Sequence, residues 1–189
     1  TFFVSGLPWR WAAAFFAGGV ALCGALYALL PHVRYRVNSF INPSDYDTYQ
    51  IDKASEAIAR GGFLGAGPGE GTVKTSLPDA HTDFIYAVLG EEFGYVAALL
   101  VIGLFGYICW RGLRAASRVR DPYPRAAASG LFTLFGLQAA INIGVNVSLI
   151  PPKGMTLPFI SYGGSSMIGI ALTLGLALAL IRRQSSSAW

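Results

Sequence analysis

Four apolar runs without a charged residue constrain this chain more than any other feature of its sequence. They cover residues 12–30, 93–110, 126–150 and 154–181. A helix needs about 20 apolar residues to cross the hydrocarbon core of a bilayer, and each run provides close to that number or more. The sequence therefore predicts an all-α, polytopic integral membrane protein that forms a single membrane domain over residues 1–189. The predicted transmembrane helices lie near residues 9–30, 84–111, 126–149 and 164–182, with a long outer loop over residues 31–83.

The composition excludes several classes of protein. Hydrophobic residues make up 53% of the chain and charged residues 13%, whereas soluble domains carry about 25% charged residues. This balance excludes a disordered chain and argues against a soluble enzyme or a nucleic-acid partner. Cys23 and Cys109 both lie inside apolar runs, so neither a disulfide framework nor a cysteine metal site is expected.

The arginines indicate the orientation in the membrane. Residues 111–125 contain five arginines and one acid, and Arg182 and Arg183 follow the fourth run. Cytoplasmic loops are enriched in Lys and Arg, so these segments are expected inside the cell. Loops 31–83 and 150–163 are then expected outside it.

The long outer loop contains two recognisable segments. Residues 45–60 are predicted to form a short amphipathic helix with Ile51, Ala54 and Ile58 on one face. A helix lying on the bilayer surface is favoured over one with a direct substrate role. The glycine-rich segment 61–74 matches no phosphate-binding motif, so a flexible or tightly turned loop is favoured over a nucleotide site.

Ionisable residues surround the start of the second span. Asp83 is a good helix N-cap type, and this interpretation competes with a role as a general base. His81 is either an interfacial polar residue or a group that tunes Asp83 or contacts substrate. Glu91 and Glu92 lie inside the span, where charges are costly, so either an ion pair in the bundle or a functional role is expected.

A polar stripe marks the third span. Gln138, Asn142 and Asn146 follow one another at intervals of four residues and so share one helix face. Hydrogen bonding between helices is favoured over a polar substrate groove. The following segment, 150–166, is rich in proline, glycine and hydroxyl groups and predicts a re-entrant-like loop.

Two runs are more specific than these physical signals. LPDAHTDFIYAVLGEEFGY at residues 77–95 and PPKGMTLPFISYGGSS at residues 151–166 resemble signatures of the SEDS family, which comprises FtsW, RodA and SpoVE. The resemblance extends over about residues 40–183. Residues 153–158 resemble the FtsW branch more than RodA, and GPGEGTVK resembles alphaproteobacterial members. Because that family has about ten transmembrane helices, the resemblance implies a fragment that corresponds to the C-terminal part of the fold.

The resemblance also implies an activity and a site. Family members polymerise lipid II, an undecaprenyl-diphosphate-linked precursor, into peptidoglycan during cell division, and Asp83 matches the aspartate on which polymerisation depends. Substrate-binding residues are expected among the polar positions of the two motif-bearing loops. These positions are Lys74, His81, Lys153, Ser161, Tyr162 and Ser165. The departing diphosphate must be stabilised by positive charge. The candidates for this role are Lys74, Lys153, Arg60 and a divalent cation (Mg²⁺ or Mn²⁺).

The implied partners are a class B penicillin-binding protein and other membrane proteins of the division machinery. The implied location is the bacterial cytoplasmic (inner) membrane, with loops 31–83 and 150–163 in the periplasm. Two other functions remain open. Glu91, Glu92 and the polar stripe would suit a flippase for the same lipid, and a scaffold would recruit the penicillin-binding protein through its helices.

Overall fold

The computed structural model describes residues 9–42, 49–151 and 153–185, and every described element is helical. The elements are α1 (Trp9–Leu29), α2 (Pro31–Ile41), α3 (Tyr49–Gly61), a 3₁₀ turn (Val73–Thr75), α4 (Ile85–Ser117), α5 (Pro122–Asn146) and α6 (Gly164–Ser185). No strand occurs in these three ranges, so the predicted all-α class is confirmed.

Four of the helices are long and apolar enough to cross a membrane, as the sequence predicts. The qualifying segments are Arg10–Leu29, Ile85–Ser117, Pro122–Asn146 and Gly164–Arg182. Helix α4 continues six residues past the predicted end at 111 because Arg111 and Arg114 are good helix formers. Helix α5 begins at Pro122, four residues earlier than predicted, since proline fits the first turn of a helix.

Helices α4, α5 and α6 pack around one apolar core. Phe105 of α4 lies against Phe135 of α5, with ring centroids 5.6 Å apart, and Leu157 and Ile170 complete the cluster. Helix α1 stands apart, because no residue of its apolar window is buried against the rest of the described structure. Helix α1 is followed across Leu30 by α2, whereas the sequence predicts a loop for this segment.

Helix α3 corrects the expectation of a helix lying on the bilayer. Its small residues Ala54, Ala57 and Gly61 are buried and pack against α4. A Cβ atom on Gly61 would lie 2.0 Å from the carbonyl oxygen of Gly90, so only glycine permits this contact. The small residues are what let α3 pack against protein instead of lipid. Residues 45–48 of the predicted helix lie outside the described ranges.

The glycine-rich loop forms a tight structure against an interruption in α4. Gly94 has φ 75° and ψ −177°, which breaks the helical hydrogen-bond pattern there. Loop 62–67 replaces the missing partners: its amides donate to the carbonyls of Glu91 and Glu92 at 2.9 and 3.1 Å, and its Gly62 carbonyl accepts from the Tyr95 amide at 2.8 Å. The favoured interpretation of a tightly turned loop agrees with this arrangement.

Candidate active site

A tight turn positions Asp83 directly before α4. Asp79 has a positive φ of 55°, and its carbonyl accepts the amides of Thr82, Asp83 and Phe84 at 3.0, 3.1 and 3.3 Å. The helix begins at Ile85, and its N-cap residue Phe84 makes no side-chain cap. The N-cap interpretation of Asp83 is therefore wrong, because the N-cap position falls on Phe84 and the Asp83 carboxylate accepts no amide of the first turn of α4.

The carboxylate of Asp83 is partly buried and is not engaged by the rest of the described structure. No hydrogen bond or ion pair reaches it from residues 9–42, 49–151 or 153–185. Burial, followed by the nearby negative charge of Asp79, raises the pKa of Asp83 above the usual aspartate range. A Cβ atom on Gly154 would lie 3.3 Å from its Oδ2 atom. Glycine at this position leaves the carboxylate uncovered.

The main chain of Asp83, in contrast, is firmly held by the polar stripe of α5. The side-chain amides of Asn142 and Asn146 both donate to the Asp83 carbonyl at 2.9 Å. The Oδ1 atom of Asn146 also accepts the Ala87 amide at 3.0 Å, and Asn142 donates to the Met155 carbonyl. Both asparagines are buried. The expected hydrogen bonding between helices is confirmed for Asn146, which joins α5 to α4 through Ala87; the other bonds that leave the stripe run from α5 to the Asp83 carbonyl and to the loop after α5.

The loop after α5 holds the two residues before Asp83. The Ser161 hydroxyl donates to the Thr82 carbonyl at 2.5 Å and accepts the Leu157 amide at 2.7 Å. The Tyr162 amide donates to the His81 carbonyl at 2.9 Å. Ser161 is only 5% exposed, so its hydroxyl faces the protein, and its substrate-binding role stays a prediction.

Lys74 and His81 line one pocket. The pocket has a volume of about 350 Å³ and is lined by Lys74, Thr75, Ala80, His81, Ile85, Val88 and Glu92. Lys74 forms an ion pair with Glu92 and donates to the Gly69 carbonyl at 3.2 Å. The ammonium group of Lys74 is therefore partly neutralised within the protein.

Glu91 serves a different purpose from its neighbour. Its side chain is fully buried, and its carboxylate accepts the amides of Thr72, Val73 and Lys74 at 2.8, 2.8 and 3.0 Å. The expected ion pair thus exists for Glu92. The Glu91 carboxylate instead binds the main-chain amides of the 3₁₀ turn. The sequence signal for this role is an acid in an apolar span beside a glycine-rich loop.

The remaining predicted residues lie on the loop after α5 and at its end. Lys153 is exposed and directly precedes Gly154, on which a Cβ atom would lie 3.3 Å from Asp83 Oδ2. Tyr162 is 79% exposed and lines a second pocket of about 430 Å³ with Ser161. Ser165 is exposed and lines neither of the two pockets. The structure thus places Gly154, the neighbour of Lys153, beside the Asp83 carboxylate, and it places Ser165 outside the lining of both pockets.

The ligand set for a divalent cation is incomplete. Within the described residues, no three His, Cys, Asp or Glu side chains come together to hold a metal ion. A carboxylate is a suitable oxygen ligand for Mg²⁺ or Mn²⁺, but Asp83 is not grouped with two further His, Cys, Asp or Glu side chains among the described residues. The described residues therefore do not form a cation site by themselves.

Comparison with known proteins places these features in a family. The family model described as "Cell cycle protein", FtsW/RodA/SpoVE, matches residues 1–186. The chain is 52% identical over 185 residues to the "Probable peptidoglycan glycosyltransferase FtsW" of Caulobacter vibrioides (strain NA1000 / CB15N), covering 97% of this chain and 47% of the relative. It is 41% identical over 169 residues to the protein of the same name from Geobacter metallireducens, covering 86% of this chain and 45% of the relative.

A solved structure shows the same fold. It is described as "Structural coordination of polymerization and crosslinking by a peptidoglycan synthase complex", and the TM-score is 0.76 at 32% identity. The match covers 97% of this chain and 52% of the solved chain, so the chain spans about half the length of the relatives it matches. The motifs, the helical fold and these matches agree: the chain belongs to the FtsW/RodA/SpoVE, or SEDS, family of cell cycle proteins.

Proposed function

We propose that this chain carries the reactive loop of a peptidoglycan glycosyltransferase of cell division that polymerises lipid II, with Asp83 as the general base. The observation that carries the proposal is a carboxylate with a raised pKa on a main chain that is held in place. The names of the Caulobacter and Geobacter relatives support the same reaction class.

The chemistry of glycosyl transfer suits a single base. A hydroxyl of the acceptor sugar attacks the anomeric carbon of the donor, and the bond from that carbon to the lipid diphosphate breaks. The diphosphate is a good leaving group that needs no proton, whereas the acceptor hydroxyl must lose one. Asp83 takes that proton, and its raised pKa makes it a stronger base than an ordinary aspartate. Direct displacement would invert the configuration at the anomeric carbon.

Lys153 is the cation best placed to assist the leaving diphosphate. It is exposed, and a Cβ atom on its neighbour Gly154 would lie 3.3 Å from the Asp83 Oδ2 atom. Lys74, by comparison, is paired with Glu92, and Arg60 lies on α3. A positive charge where negative charge develops stabilises the transition state, so we assign this role to Lys153.

The polar groups that suggested a flippase are already occupied. Glu91 holds the 3₁₀ turn, Glu92 is paired with Lys74, and Asn142 and Asn146 bind the Asp83 carbonyl. Glu91, Asn142 and Asn146 are buried, Glu92 lines the pocket beside Lys74, and Gln138, the remaining member of the stripe, donates to the Thr156 carbonyl. The contacts therefore favour an enzyme over a transporter.

The proposed partners and location follow the family. We propose a class B penicillin-binding protein and other division proteins as partners, and the cytoplasmic (inner) membrane as the site. Loops 31–83 and 150–163 are proposed to face the periplasm, because the arginine-rich segment 111–125 belongs inside.

Single-cysteine labelling tests this orientation. After Cys23 and Cys109 are replaced by Ser, Arg118→Cys should resist an impermeant thiol reagent in intact spheroplasts, and Lys153→Cys should react. Labelling of position 118 from outside would reverse the topology.

Reconstitution tests the proposed activity. The complete gene product, purified with its penicillin-binding partner, is incubated with lipid II, and glycan strands are separated on a gel. We expect long strands from the wild type and none from Asp83→Ala, although the variant still folds and binds the partner. Lipid movement in acceptor-free vesicles without polymer would instead establish a flippase. Normal strand formation by Asp83→Ala would reject the assignment of the base.

A further inference from the structure

Three consecutive carbonyls, those of His81, Thr82 and Asp83, each receive a hydrogen bond from a later part of the chain. On this basis we propose that three buried residues of those later segments are positioning residues that set the place of the Asp83 carboxylate. They are Asn142, Asn146 and Ser161. The inference rests on the proposed function and adds residues that do not touch substrate to the machinery of the same site.

Asn146 replaces a helical hydrogen bond that the chain does not make. In an α-helix the amide of residue 87 would donate to the carbonyl of residue 83. Here α4 begins only at Ile85. The Ala87 amide donates to the Phe84 carbonyl at 3.0 Å, and the side-chain amide of Asn146 bridges Ala87 and Asp83. It donates to the Asp83 carbonyl at 2.9 Å and accepts the Ala87 amide at 3.0 Å. Asn146 therefore fixes Asp83 to the helix while leaving it outside the helix.

Asn142 links Asp83 to the opposite loop. Its side-chain nitrogen donates both to the Asp83 carbonyl and to the carbonyl of Met155. Met155 follows Gly154, the residue whose Cβ position lies 3.3 Å from Asp83 Oδ2. One side chain thus determines how closely the loop carrying Lys153 approaches the carboxylate.

Burial distinguishes positioning from substrate contact. Asn142 and Asn146 are 1% and 0% exposed, and Ser161 is 5% exposed. The Asn142 and Asn146 side chains therefore cannot reach a lipid-linked sugar. Ser161 lines the second pocket, but its hydroxyl is engaged between the Thr82 carbonyl and the Leu157 amide. Loss of any of these three side chains should therefore lower kcat through misplacement of the base, while KM for lipid II stays nearly constant.

Gln138 provides a matched control. It lies one turn before Asn142 on the same stripe and donates to the Thr156 carbonyl at 3.1 Å, a bond of the same chemical type. It makes no bond to the His81–Asp83 segment. Gln138→Ala thus removes an amide hydrogen bond to the same loop without releasing Asp83.

The test measures kcat and KM for lipid II polymerisation by the complete gene product with its partner. Asn146→Ala and Asn142→Ala should each lower kcat by about 10²-fold, the usual result of moving a catalytic group by about 1 Å. KM should change less than about twofold, and Gln138→Ala should stay within about threefold of wild type. Unchanged kcat in both asparagine variants, or a raised KM at constant kcat, would overturn the inference.

Ser161 and amide exchange keep the test decisive if an asparagine variant fails to fold. Ser161→Ala deletes one hydroxyl and should lower kcat by about tenfold, whereas Ser161→Thr retains the donor and should restore most of it. The Ala87 amide loses one of its two acceptors in Asn146→Ser and keeps the Phe84 carbonyl, so its hydrogen exchange should accelerate moderately relative to Gln138→Ala. Unchanged exchange together with a normal kcat in Ser161→Ala would reject the positioning role.

The two proposals fail in different ways. If Asp83→Asn remains active, the proposed base is wrong, whatever the asparagine variants do. If Asp83→Asn is inactive while the Asn142, Asn146 and Ser161 variants keep normal kcat values, only the positioning inference is wrong.

Discussion

Asp83 and Glu91 lie eight residues apart around the start of the same helix, yet the structure treats their carboxylates in opposite ways. The Glu91 carboxylate is fully buried and accepts three main-chain amides. The Asp83 carboxylate accepts none from the described residues, while its own main-chain carbonyl accepts two side-chain amides. One residue has a fixed side chain, and the other has a fixed main chain with an available side chain.

The difference shows how a structural acid can be told from a reactive one. Both residues satisfy the rule that a charge in or beside a membrane span is functional or paired. A buried carboxylate whose oxygens are bonded stabilises the fold, because breaking those bonds leaves buried polar groups unsatisfied. A carboxylate that is partly buried but not bonded keeps a raised pKa and can take up a proton.

The largest effect on stability is expected at Glu91. Glu91→Gln keeps the size of the side chain but brings an NH₂ group toward amides that need an acceptor. Since hydrogen bonds to a charged group contribute about 1.5–3 kcal/mol each, the free energy of unfolding should fall by about 3 kcal/mol. Thermal unfolding in detergent measures it, with exposed Glu70→Gln as the control. An unchanged Tm would mean that Glu91 does not hold the 3₁₀ turn.

A smaller effect on activity is expected from crowding Asp83. Gly154→Ala adds a Cβ atom 3.3 Å from the Asp83 Oδ2 atom, so either the loop or the carboxylate must shift. The rate should fall by about tenfold, as a displacement of less than 1 Å implies. Gly163→Ala is the control, because its Cβ would meet Ser166 and Thr156 at an ordinary 3.5 Å. Equal rates for the two variants would remove Gly154 from the site.

A weaker electrostatic effect is expected at Lys153. If this exposed lysine stabilises the departing diphosphate, Lys153→Ala should lower kcat/KM for lipid II by about three- to tenfold, mainly through kcat, and the defect should shrink at high salt because exposed charges are screened. Lys53→Ala is the matched control, since Lys53 is already paired with Glu56 at 2.6 Å. Identical kcat/KM values for the two variants would leave Lys153 as a solvated loop residue.

The smallest expected effect is a shift in pH dependence. Burial and Asp79 raise the pKa of Asp83, and only the deprotonated form acts as a base. The value of kcat/KM should therefore fall as the pH drops through a pKa above about 3.9, the ordinary aspartate value. Asp79→Asn removes one cause of the shift and should move this acidic limb to lower pH. A limb that does not move would mean that Asp83 does not govern it.

The fold was largely predictable because hydropathy dominates it. Four apolar runs predicted four membrane-capable helices, and all four are present. The sequence did not reveal α2, because residues 31–41 lack an apolar run and follow directly on α1. Nor did it reveal the interruption of α4 at Gly94. A single glycine in an apolar span does not indicate whether the glycine-rich loop will bind the helix at that point.

The candidate site was predictable in its residue types but not in its contacts. The polar stripe predicted hydrogen bonding, yet nothing in the spacing of Asn142 and Asn146 indicated that the acceptor would be the Asp83 carbonyl, 59 and 63 residues earlier in the chain. Asp83 matches an N-cap residue type, but local sequence does not show that the turn at Asp79 moves the N-cap position to Phe84. Long-range partners of this kind require the three-dimensional structure.

The most direct test of the account compares Asp83→Asn with Glu91→Gln in one polymerisation assay, with rates normalised to the folded fraction. Asp83→Asn should lose about 10²–10⁴ in rate, the usual contribution of a general base, and Glu91→Gln should lose far less once its lower stability is taken into account. The Tm of Asp83→Asn should be unchanged or slightly higher: a raised pKa means that folding favours the protonated form, so the ionised carboxylate costs stability at neutral pH. An Asp83→Asn protein that folds, binds its partner and polymerises lipid II within a fewfold of wild type would contradict the account.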